Sequence, residues 1–219
     1  MVTITTTADR LRRALEGTIP FASADTTLPV LNTVHVKAEG DRVQFAATDR
    51  YTLGTYRLHR GERAEVKGED EFTGPDELEE GAQAAMVLAD AKEVLRTAKR
   101  YKKREALLEV KIEIPAEPER GIAFTFPDGS TLNARCTDGE YPPVERLFPA
   151  GERLAGSDQS EVIFNATFAA KVNKAAHAIT GDRHAGVHLR LNTDAVKPAV
   201  FRTDEDDRWR CLLMPMRGL

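Results

Sequence analysis

Residues 28–54 read LPVLNTVHVKAEGDRVQFAATDRYTLG. From Thr33 to Glu39, and again from Arg42 to Thr48, apolar and polar side chains alternate with the period of two that turns one face of a strand toward a core. Gly40-Asp41 between the two runs is a hairpin signal, and TLGTYRL after them reads as a further strand. Upstream, Val2 and Ile4 alternate with threonine in a short strand, Thr7 followed by Asp9 offers a helix cap, and Leu11, Leu15 and Ile19 recur at helical spacing. The order is strand, amphipathic helix, then antiparallel strands, a βαβββ unit.

The same order returns twice, as a pattern rather than as identical residues. A helix is expected over residues 89–103, where Ala91, Val94, Leu95 and Ala98 make the apolar stripe, with strands after it in LLEVKIEI, GIAFTF and TLNARC. The third copy opens with a strand at EVIFN (161–165). It places a helix over ATFAAKVNKAAHAI with Phe168, Val172, Ala175 and Ile179 inward, and ends in GVHLRLN, PAVFRTD and WRCLLMPM. These repeats predict an α+β fold of βαβββ units with the helices on one face of antiparallel sheets. One complete domain is expected over 1–150 (units 1–58 and 59–150), with a half-domain over 151–219. The charged stretch from His59 to Glu71 reads as an exposed strand end or loop.

With 219 residues, 41% of them hydrophobic, and 31 basic against 35 acidic side chains for a net charge of −4, the chain is globular and carries no uniform basic coat. Its cations gather instead on the outer helix faces: Arg10 and Arg13, then Lys92, Arg96, Lys99, Arg100 and Lys103, then Lys171 and Lys174. Such a surface neutralises phosphates without reading bases, which predicts salt-dependent, sequence-indifferent contact with duplex DNA.

Other chemistry finds little foothold. Cys136 and Cys211 lack metal or disulfide spacing, and His184 and His188 lie four apart, but Gly186 and the alternation of GVHLRLN put His188 on a strand, so no metal site is expected. The acidic run from Thr203 to Asp207 reads as a solvated hairpin tip. No nucleophile elbow, phosphate loop or dinucleotide fingerprint occurs, so neither an enzyme nor a cofactor is expected. No apolar run approaches the roughly 20 residues that span a bilayer, which sets aside a membrane partner and predicts a cytoplasmic protein with reduced thiols.

Three strings resemble the bacterial DNA polymerase III beta sliding clamp family: the 28–54 block with its ATD…L element, DGEYPPVERLFP at 138–149, and the chain end LLMPMRGL. The resemblance implies a DNA-clamp fold whose helices line the hole of a ring around duplex DNA. It implies a processivity factor, which tethers a polymerase by topology and catalyses nothing. It also implies a groove for short peptides of replicative polymerases, clamp loaders and repair enzymes. Carried over position by position, that groove takes Thr48, Tyr51 and Leu53 from the first string, Pro142, Arg146 and Leu147 from the second, and Leu212, Met214, Pro215 and Met216 from the third. Thr52 stands where the family often has arginine, Gly218 interrupts the usual ending, and three units fall short of the family's three domains. An unpaired half-domain would expose sheet edges and an apolar helix face, so a homo-oligomer is expected: four chains if the family's ring of twelve units is kept, with a smaller ring or a non-ring assembly as the other outcomes. The rival reading is a clamp-like module that binds the same peptides, regulating or decoying replication proteins, and never closes around DNA.

Overall fold

Thr7 closes β1 (Val2–Thr7) and caps α1 (Ala8–Thr18): its backbone is extended and its hydroxyl accepts from the Arg10 amide. The computed structural model describes residues 1–40, 42–59, 82–115, 121–148, 162–182, 186–191, 197–203 and 208–216. The chain continues through β2 (Thr33–Glu39), β3 (Arg42–Thr48) and β4 (Thr52–His59). The second unit supplies β5 (Gln83–Val87), α2 (Leu88–Ala98), β6 (Glu109–Ile114), β7 (Ile122–Thr125), β8 (Thr131–Ala134) and the two-residue β9 (Cys136–Thr137). The third supplies α3 (Ala166–Thr180), β10 (Val187–Arg190), β11 (Ala199–Thr203) and β12 (Trp209–Leu213). The α+β class and the repeated helix-then-strands order are those expected from the sequence.

Neighbouring units trade their first strands. β1 leaves its own unit and pairs antiparallel with β6, Ile4 opposite Ile112, giving a sheet ordered β1-β6-β7-β8. In return β5 pairs with β2, Met86 opposite Val34. Both crossovers bury alternating aliphatic side chains against the helices, which makes 1–148 one core rather than two. The third unit joins by its last strand: β12 pairs with β4, Leu212 opposite Leu53, and the second sheet becomes eight-stranded in the order β10-β11-β12-β4-β3-β2-β5-β9.

α1 packs against both α2 and α3. The Trp209 indole, fully buried, donates to the Gly17 carbonyl at 3.0 Å. A Cβ on Gly17 would lie 2.8 Å from Ile179 Cδ1, and one on Gly54 only 2.2 Å from the Phe21 ring, so these two glycines are where α3 and β4 press closest on the first helix.

Three expectations change. The apolar face of α3 is not left bare, because Val172, Ala175, Ala176 and Ile179 are buried in the common core; the third unit folds back on the first. Residues 162–165 form no strand: among the described residues the Asn165 carbonyl accepts from the Ala169 amide as α3 begins, and the one backbone bond to another segment is the Met216 amide donating to the Ile163 carbonyl at 2.8 Å. α2 ends at Ala98, where the Lys99 amide closes on Leu95; Lys103, at φ 54°, opens a separate 3-10 turn and leaves the α2 face. The charged stretch after His59, Glu161 and the acidic residues 204–207 lie outside the described residues.

Candidate functional site

Two surfaces carry the candidate residues, and they are built differently. On the helix layer, α1 spends much of its charge internally. Asp9 accepts from Arg12 Nε at 3.2 Å and from Arg13 Nε at 2.8 Å, and Arg12 also pairs with Glu16. Burial works against the Asp9 charge, but the hydrogen bonds and charges of Arg12 and Arg13 outweigh it and hold the carboxyl below the usual range. Lys99 reaches from α2 to the same Glu16 at 2.8 Å, and Arg96 pairs with Glu93. Arg12, which the helical spacing alone did not single out, also donates to the Ala178 carbonyl at 3.4 Å and so ties α1 to α3.

Lys171 is drawn off the helix surface altogether. Its ammonium meets Asp49 Oδ2 at 2.5 Å, while Asp49 Oδ1 accepts from the amides of Tyr51 and Thr52 and from the Thr52 hydroxyl. Tyr51 stacks on Phe168 with ring centroids 5.5 Å apart. The cations left exposed are Lys92, Arg100, Lys103 and Lys174, and among the described residues no carboxylate pairs with them; Arg10 is half-buried.

The second surface lies on the sheet where the third unit meets the first. Leu53 and Leu212, opposite each other in the β4–β12 ladder, are buried with Ala46, Tyr141 and Val144, and Val30, Phe148 and Val200 pack beside them. Val144 begins a 3-10 turn (Val144–Leu147) that holds Arg146 and Leu147 out to solvent. On the other flank the Met214 amide donates to the Tyr51 carbonyl at 3.0 Å, and Met214 and Pro215 are half-buried. The result is an apolar floor with three large exposed side chains at its margins: Tyr51 at 54%, Leu147 at 48% and Met216 at 49% exposure. Thr48 is inward, its hydroxyl donating to the Thr52 carbonyl at 2.7 Å, so it shapes the turn rather than the rim. Pro142 is half-buried beside Tyr141.

Next to this floor is a cavity of about 440 Å³ that the sequence reading did not anticipate, lined in part by His35, Lys37, Gln44, Gln83 and Tyr141. His35 stacks on Tyr141 at 4.4 Å, and burial, helped by nearby Lys37, pushes its pKa down to about 4 against the Gln83 hydrogen bond, so it is neutral at physiological pH. Both thiols are quenched by burial: Cys136 is pushed up to about 11, and Cys211 well above the usual thiol range. Among the described residues no group of three metal-ligating side chains comes together, and no helix is long and apolar enough to cross a membrane.

No family model matches the sequence. The chain is 29% identical over 128 residues to the beta sliding clamp of Micrococcus luteus, which covers 58% of this chain and 34% of that protein. It is 28% identical over 139 residues to the beta sliding clamp of Synechocystis, covering 64% of this chain and 33% of that one. In fold it matches the DNA polymerase III beta subunit of Pseudomonas aeruginosa with a TM-score of 0.73 at 17% identity, over 100% of this chain and 66% of that one. The sequence match thus spans about a third of each curated relative, and the structural match about two thirds of a solved beta subunit. The chain is similar to bacterial beta sliding clamps in sequence over more than half its length, and to solved DNA polymerase III beta subunits in fold over all of it.

Proposed function

Taking that similarity as the premise, we propose that the chain is a sliding clamp: an oligomer that encircles duplex DNA without sequence preference and holds a replicative polymerase to it through a peptide groove. It catalyses no reaction. The observation that carries this reading is the coexistence of two surfaces, a layer of three helices exposing Lys92 and Lys174, with Arg100 and Lys103 in the turns that follow α2, and an apolar floor at Leu53 and Leu212 on the sheets. Few unpaired cations suit a clamp, because weak phosphate contacts let a ring slide while topology retains it. The groove, with Tyr51, Leu147 and Met216 at its margins, suits a short segment that inserts aliphatic or aromatic anchors, thioether and aromatic groups being adaptable partners. Neither surface requires a membrane, a metal or a cofactor, and the reading places the protein in the cytoplasm with the replication machinery.

The internal neutralisation of Arg12, Arg13, Arg96, Lys99 and Lys171 favours a second reading, a clamp-like module that binds the same peptides without encircling DNA. Retention on a closed circular plasmid and loss after linearisation, with a polymerase-derived peptide bound in both cases, is the expected result for a clamp. Peptide binding with equal, negligible retention on both DNA forms would leave only the module.

A further inference from the structure

Lys171 stands in the second turn of α3, on the helix layer, yet its contacts lead to the margin of the sheet groove. That margin is Tyr51, in the turn Asp49-Arg50-Tyr51 between β3 and β4. Arg50 takes φ 79° there, a left-handed backbone that a residue with a side chain adopts only when its surroundings impose it. Asp49 imposes it from inside the turn. Its Oδ1 accepts from the Tyr51 amide at 3.1 Å, from the Thr52 amide at 2.7 Å and from the Thr52 hydroxyl at 2.8 Å. Its Oδ2 faces α3 and meets the Lys171 ammonium at 2.5 Å, with 11% of the Asp49 side chain exposed. A carboxylate so enclosed keeps its orientation while its second oxygen is also partnered, so the ammonium sets the direction in which Oδ1 points. Phe168, three residues earlier on α3, supplies the other half of the hold. The Lys171 ammonium lies 5.4 Å from the centre of its ring, and the Tyr51 ring stacks on the same ring at 5.5 Å. Residues three apart share a helix face, so one face of α3 grips Tyr51 twice: by its backbone, through Asp49, and by its ring.

We propose that Lys171 is a positioning residue of the peptide groove rather than a phosphate contact: paired with Asp49, it fixes the Tyr51 turn in the orientation a bound peptide meets. The proposal rests on the groove reading and deepens it. Sequence spacing groups Lys171 with Lys174 on the outer side of α3, and the fold separates them. Lys174 is exposed, whereas the Lys171 side chain is 25% exposed and its charge is already met. A phosphate would have to take the ammonium from a carboxylate that little water reaches, and such a pair is screened by salt far less than a surface contact. The two lysines should therefore serve different ligands. Tyr51 keeps 54% exposure, so its held ring offers an open face to a peptide with its ordering cost already met. Once released, the same ring would have to be ordered by the peptide itself.

Lys171→Met and Lys174→Met are compared in the full chain, with Lys171→Arg, which keeps the cation, and Asp49→Asn, which keeps Oδ1 and loses the charge. The four tyrosines are labelled as 3-fluorotyrosine, and the Tyr51 fluorine resonance is assigned by its loss in Tyr51→Phe. Lys171→Met should move that resonance toward free fluorotyrosine and leave those of Tyr56, Tyr101 and Tyr141 in place. It should weaken a labelled polymerase peptide about fivefold, the cost of ordering one side chain on binding, with retention on circular DNA unchanged. Lys174→Met should weaken DNA retention and leave the peptide alone. Lys171→Arg should restore native behaviour. Asp49→Asn should reproduce Lys171→Met, and the double variant should be little worse than either, because both cut one link. A Tyr51 resonance that stays in place, a peptide affinity that does not fall, or a loss of DNA retention in Lys171→Met with the peptide unaffected would each overturn the assignment. If the native protein binds no polymerase peptide, the groove reading falls instead, and the spectra alone then uphold or overturn the hold of Lys171 on Tyr51.

Discussion

The helix layer and the sheet groove sit on one core but are made by opposite rules. On the helices, charge is abundant and mostly consumed: Glu16 alone takes Arg12 and Lys99, and Asp9 takes Arg12 and Arg13. In the groove, charge is scarce and large apolar groups stay open to solvent, Tyr51, Leu147 and Met216 standing at the margins of a floor in which Leu53 and Leu212 are buried. A surface meant to slide along phosphates gains from weak attraction, whereas one meant to hold a peptide gains from apolar area that water leaves on binding. The two should therefore respond to different perturbations.

Reversing Lys92, Arg100 and Lys174 to Glu is the strongest way to part them. Retention on circular DNA should fall at least a hundredfold and peptide affinity should stay within twofold, read by gel filtration with plasmid and by fluorescence anisotropy with a labelled polymerase peptide. Raising salt from about 50 to about 200 mM should weaken intrinsic DNA affinity by roughly 40-fold if three phosphates are neutralised, and leave peptide affinity nearly constant; equal salt slopes would erase the distinction. Leu147→Ser with Met216→Ser should cost the groove about tenfold in peptide affinity and leave DNA retention unchanged, since both side chains are already half open to solvent. The smallest effect is in stability. His35 is neutral when folded, with its pKa down at about 4, so the unfolded chain binds its proton first as pH falls. Stability should be intact above about pH 6.5 and decline toward pH 4 by an amount on the order of 3 kcal/mol. His35→Phe, which keeps a ring on Tyr141, should flatten that part of the profile in urea titrations.

Much of this was legible in the residues. Alternation in TVHVKAE and RVQFAAT, Thr7 as a cap and the 3.6-residue stripes of the helices all express local rules, and the strands and helices lie where they point. The end of α2 was not, because Lys99 to Lys103 keeps helical composition while the Tyr101 ring leaves the helix to stack on Phe126 at 5.9 Å. Residues 162–165 carry strand chemistry and form no strand, since alternation is local whereas a ladder is made by tertiary pairing. The pairings of Lys171 with Asp49 and of Lys99 with Glu16 join positions far apart in the chain, so a helical wheel presents as open cations that tertiary contacts have already claimed. Of the groove, the leucine floor follows from the three strings that resemble the clamp family; the inward turn of Thr48 is visible only in the fold.

The ladder between β4 and β12 has a kinetic meaning. Leu53 and Leu212 lie far apart in the chain, yet each is half of the same floor. A pairing between such distant positions carries a large loop-closure cost, so the floor should assemble after the local hairpins of the first unit have formed. A refolding chain should regain its helices and its β2–β3 turn before it regains the floor.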